Sequence, residues 1–133
     1  MMETALVFDK GGEAIYWHEP TDRSGAHIAD SRDLWDVLWE NRDRLGGVAH
    51  THPWNGEAWP SESDLTTFSA VERGLGRRFL WPVVTMSEVR CFVRDPITNA
   101  YVEALENFDV NVWDRNMEEL RNRSRLPTGD QHG

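Results

Sequence analysis

Two imidazoles stand two residues apart in His50-Thr51-His52-Pro53, and Pro60-Ser61-Glu62-Ser63-Asp64 follows after a Trp- and Gly-containing loop. On an extended segment, side chains two residues apart point to the same side, so His50 and His52 can act together. A turn that brings back the Asp64 carboxylate would complete three ligands around one ion and leave a fourth position for water. Two neutral imidazoles and one carboxylate, with no thiolate, suit Zn²⁺, and an open fourth position marks a catalytic rather than a structural ion. Taken alone, Ser61-x-x-Asp64 after a proline is a helix capping box. Capping does not predict the paired histidines or the proline that follows them, and that conjunction favours a metal site. Cys91 lies far along the chain in an expected strand and is not read as a ligand.

These residues need elements to hold them. Thr4 to Phe8 and Glu13 to His18 read as a hairpin around the turn residues Lys10-Gly11-Gly12. Glu19 to Asp30 reads as a loop, with a short strand around Ala26 to Ala29. A helix capped by Asp30 or Ser31 is then expected, carrying Leu34, Trp35, Leu38, Trp39 and Leu45 on one core-facing side and stopping at Gly46. Gly47 to His52 reads as a buried strand that ends at the histidines before Pro53. Pro60-Ser61 opens a second helix, with Leu65, Phe68, Val71 and Leu75 inward and Gly74 and Gly76 near its stop. Strands are expected at Phe79 to Met86, Glu88 to Arg94 and Ala100 to Leu105, the last two joined by a turn at Pro96 to Asn99. Asn107 to Arg125 reads as a terminal helix with Val112, Met117 and Leu120 as its apolar side. The fold class is α/β, a single domain over residues 1–125 with a mixed or antiparallel sheet flanked by helices, and a tail over 126–133.

The 133 residues carry a net charge of −9, which disfavours nucleic acid and anionic lipid as partners. One cysteine cannot form an internal disulfide. The start Met1-Met2-Glu3-Thr4 lacks the basic region and apolar stretch of a secretory signal, and no segment approaches the roughly 20 apolar residues of a membrane span. A cytoplasmic location is the expectation.

His-x-His-Pro followed by Ser-x-x-Asp resembles the signature of the JAMM metalloproteases (MPN-plus, Mov34/PAD-1, JAB domain). The expected order of hairpin, helix, histidine strand, helix and further strands is similar to that family's cytidine-deaminase-like α/β sandwich. The resemblance covers Glu3 to about Leu105. It implies that His50, His52 and Asp64 bind zinc and that Ser61 stabilises the oxyanion. It also implies a general-base Glu on the first strand, and Glu3-Thr4-Ala5-Leu6-Val7-Phe8-Asp9-Lys10-Gly11 fits that layout. Glu3 is the choice and Glu13 the runner-up, whereas Glu19 and Glu57 fall in loops. Two features depart from the family: no helix precedes Glu3, and the interval between His52 and Ser61 is one residue longer than in many relatives. That interval carries Trp54 and Trp59, readable as a substrate wall or as packing on the following helix.

The activity so implied is zinc-dependent hydrolysis of a peptide or isopeptide bond after the C-terminal glycine tail of a ubiquitin or ubiquitin-like protein, as deconjugation or precursor processing. An extended tail could add to a sheet edge beside the zinc, and a partner subunit is a further expectation. The alternative is a non-catalytic MPN-type scaffold within a larger complex, with Trp113 on its partner surface. A RadC-like, DNA-linked relative shares the motif, but the acidic charge gives it no electrostatic footing.

Overall fold

The computed structural model describes residues 3–19, 32–52, 56–104 and 110–124. The cap at Asp30 or Ser31, the short strand at Ala26 to Ala29, Pro53, Trp54 and the tail lie outside the described residues. Among the described residues, six strands form one mixed sheet: β1 (Ala5–Asp9), β2 (Ala14–His18), β3 (Leu45–Thr51), β4 (Trp81–Val84), β5 (Val89–Arg94) and β6 (Tyr101–Glu103). Their order is β2-β1-β3-β4-β5-β6, and every neighbouring pair is antiparallel except β3 and β4. The helices are α1 (Arg32–Glu40), α2 (Glu62–Leu75) and α3 (Val110–Ser124). Among the described residues, no helix is long and apolar enough to cross a membrane.

Alternation along the strands sends side chains into two layers. Ala5, Val7, Val48, Trp81, Val83 and Phe92 pack on one face with Leu34 and Leu38 of α1 and Phe68 and Val71 of α2. Leu6, Phe8, Ala49 and Val84 pack on the other with Met117 and Leu120 of α3. The expected α/β class is therefore observed, as a sheet covered on both faces.

The first helix differs from its reading. α1 ends at Glu40, and Leu45 opens β3 instead of continuing the helix. Trp35 and Trp39, expected in the core, are 37% and 47% exposed. Trp35 lies across Gly74 of α2, where an added Cβ would come within 2.8 Å of its ring, and Arg42 stacks 4.1 Å over Trp39. The helical spacing is real, but the buried stripe is narrower than it and takes only Leu34 and Leu38. Gly46 is no helix stop: a Cβ there would sit 2.3 Å from the Asp9 carbonyl oxygen, and one at Gly47 would sit 2.0 Å from that of Leu80. These glycines let β3 run tightly between β1 and β4.

The second helix follows its reading closely. Ser61 is its N-cap, Phe68 and Val71 are buried, and Gly76 closes it in the left-handed conformation at φ 75° with its N–H donating to the Glu72 carbonyl. Phe68 stacks on Trp81 with ring centroids 4.4 Å apart, which seats α2 against the sheet. Trp113 of α3 meets Phe8 edge-on at 5.7 Å and helps dock that helix.

Candidate metal centre

β3 is a central strand, and its C-terminal end carries the two histidines. Ala5 of β1 and Val83 of β4 flank His50, and the His52 N–H donates to the Val84 carbonyl at 2.8 Å. Both imidazoles are buried on the face that α2 covers, and Phe68 packs edge-on against His50 at 6.0 Å. Thr51, between them, faces the other layer. Its Oγ1 accepts from the Thr4 N–H at 2.9 Å and lies 2.6 Å from the Ser124 hydroxyl. Thr4 and α3 thus grip the strand end from behind, and nothing in the His-Thr-His pattern alone announces that role.

α2 supplies the third group at its first turn. The Asp64 N–H donates to Ser61 Oγ at 3.1 Å, and Asp64 Oδ2 accepts from the Ser61 N–H at 2.9 Å. This reciprocal pair fixes the carboxylate with its oxygen toward the histidines. Asp64 Oδ2 lies 3.1 Å from His50 Nε2 and 2.9 Å from His52 Nε2, and the two imidazole nitrogens are 3.1 Å apart. Burial pushes the Asp64 carboxyl upward, but hydrogen bonds from His50 and His52, the attraction of His50 and the Ser61 N–H outweigh it. The carboxyl is held well below the usual range.

Three lone-pair donors of three different residues therefore form a near-equilateral triangle. Ligands about 2.0–2.1 Å from a tetrahedral zinc stand about 3.3 Å from one another, so a small outward shift would admit an ion. His50, His52 and Asp64 could hold a metal ion. Both histidines, the aspartate and the serine singled out in the sequence are brought together.

Continuing the β1–β3 register past the bond from the Thr51 N–H to the Thr4 carbonyl sets Glu3 opposite His52, on the histidines' face. Glu3 is half-buried there. Glu13 stands beyond the other end of β1, within 3.8 Å of Arg115, and is remote from the histidines. Trp59 is 47% exposed and lies 5.7 Å from Phe92, under the Arg90 guanidinium at 4.4 Å. Cys91 is buried, and alternation puts it on the face opposite the histidines. Among the described residues, β1 and β4 flank β3, and the outer strands of the sheet are β2 and β6.

One buried group escaped the sequence reading. Glu72 of α2 is almost wholly buried, and its carboxylate accepts from the Phe79 N–H at 2.8 Å, the Trp81 indole at 3.0 Å and the Tyr101 hydroxyl at 2.6 Å. The signal was present: Glu72 falls in phase with Leu65, Phe68 and Leu75, a charge inside an apolar stripe. No protein-family model matches the chain, and no curated protein matches its sequence.

Proposed function

We propose that the chain is a zinc-dependent peptidase or isopeptidase of the JAMM kind, cutting after the glycine tail of a ubiquitin-like protein. The observation that carries the reading is the convergence of His50 Nε2, His52 Nε2 and Asp64 Oδ2 at the first turn of α2. His50, His52 and Asp64 would hold the zinc ion, which when bound would supply a Lewis acid and lower the pKa of a water molecule. Glu3, opposite His52 by register, takes the proton of the attacking water and returns it to the leaving amine. Ser61 Oγ already accepts from the Asp64 N–H, so its own proton is left to donate to the oxygen of the carbonyl under attack.

The order of hairpin, helix, histidine strand and helix supports a JAMM/MPN-type sandwich. The substrate class rests on the motif resemblance. The scaffold alternative draws no support from Trp113, which is engaged with Phe8.

The test is metal content by mass spectrometry on protein purified without chelator, for the native chain, His52→Ala and Asp64→Ala. About one zinc per native chain, lost in both variants, is expected. Hydrolysis of a glycine-tailed ubiquitin-like conjugate should then follow and be abolished by Glu3→Gln with zinc retained. A native chain that cannot be loaded with zinc would remove the hydrolase reading.

A further inference from the structure

The far end of α2 carries a second concentration of chemistry, of the opposite charge. A 660 Å³ open pocket there is lined by Arg73, Arg77, Arg78 and Arg94, with Ser69 and Glu72 among the remaining residues. Four arginines from a chain with only 14 basic residues and a net charge of −9 line one pocket. An arginine in the last helical turn complements the helix dipole, which accounts for Arg73 alone.

Among the described residues, Glu72 and Asp95 offset part of this charge and leave an excess of positive charge at the pocket. Glu72 already accepts from Phe79, Trp81 and Tyr101. Arg94 Nε therefore reaches it only as an ion pair at 3.5 Å, with no hydrogen bond. Asp95, which interacts with Arg78, gives its oxygens to Thr98 and to the Ile97 N–H. Arg77 forms a fixed floor, donating to the carbonyls of Arg42 and Leu45 and lying 4.6 Å over Phe79. Among the described residues, Arg73 and Arg78 make long bonds of 3.3 Å, to Ser69 Oγ and the Arg94 carbonyl. Both residues line the open pocket.

We propose that this pocket binds a compact oxyanion of two or more negative charges, of the phosphate or pyrophosphate class. Arg73, Arg78 and Arg94 contribute forked donors and Arg77 sets the floor. Planar guanidinium forks match phosphate oxygens, and several of them favour a multiply charged group over a single carboxylate. The site is separate from the metal centre: Arg73 lies nine residues along α2 from Asp64, about 13 Å at 1.5 Å per residue. It stands independently of the hydrolase reading.

The experiment is calorimetric titration of inorganic pyrophosphate into the full chain, against sodium chloride matched in ionic strength. Arg73→Gln, Arg78→Gln and Asp64→Ala are run beside it, each checked for an unchanged thermal midpoint without pyrophosphate. One saturable site is expected, weakened about tenfold by each arginine variant and untouched by Asp64→Ala. Should one arginine variant fail the midpoint check, the other carries the comparison. Heat indistinguishable from the chloride control would overturn the proposal. So would binding lost in Asp64→Ala and kept in the arginine variants, since the anion would then sit at the metal centre.

Discussion

Asp64 and Glu72 are two carboxylates on one helix, eight residues apart, and their partners give them opposite characters. Asp64, at the first turn, faces two imidazole nitrogens, groups that can exchange a proton for a metal. Glu72, two turns on, is held by a backbone N–H, an indole and a phenol, none of which is a ligand at neutral pH. The first cluster can open to admit an ion, while the second ties α2 to β4 and β6. Burial by itself therefore does not mark a site; the chemistry of the donors does.

Removing Glu72 should have the largest effect. Glu72→Ala leaves the Phe79 N–H and the Trp81 indole without their acceptor in the core, and a loss of about 3–5 kcal/mol is expected from urea denaturation. A loss under 1 kcal/mol would erase the contrast between the two ends.

At the other end the native chain should gain stability from zinc, about 2.7 kcal/mol when free zinc exceeds the dissociation constant a hundredfold. Asp64→Ala should gain almost none. Thermal midpoints with and without zinc compare the two, and equal gains would place the ion elsewhere.

Ser61→Ala should cost about 1 kcal/mol, the ordinary value of an N-cap, since it removes the acceptor of the Asp64 N–H. Denaturant midpoints of the zinc-free protein measure this. A loss of several kcal/mol would mean that Ser61 supports more than the helix start.

The smallest effect concerns alkaline pH. Burial first, and then the contact with Glu72, raises the Tyr101 phenol above its ordinary pKa of 10.0. A group whose folded pKa exceeds its unfolded one favours the folded state fully below the unfolded value, and that contribution drains away as pH climbs toward the folded value. The native chain should therefore lose stability more steeply above about pH 10 than Tyr101→Phe does. Parallel denaturation midpoints from pH 9 to 11 in the two proteins would contradict the Tyr101–Glu72 contact.

Part of this organisation was legible directly. Period-two spacing put His50 and His52 on one side of a strand, and the Ser61/Asp64 pair marked the start of α2. Helical spacing alone could not say how wide a stripe the sheet would cover, so Trp35 and Trp39 were assigned to the core although they line its rim. Gly46 looked like a helix stop because the carbonyls that exclude a side chain there and at Gly47 come from Asp9 and Leu80, remote in the chain. Glu72 broke an apolar stripe in view, yet its three partners come from two other strands and the approach to them.

By itself the sequence determined the ligand types, their local spacing, the helix cap and the α/β alternation, because each depends on neighbours within a few residues. Only the tertiary structure decided that α2 returns its first turn to the end of β3, so that three donors lie 2.9–3.1 Å apart. It alone set the β1–β3 register that brings Glu3 opposite His52, and gathered arginines from α2, the turn after it and β5 around one pocket. These are long-range contacts, set by how the layers pack on the sheet and not by the preference of any single segment.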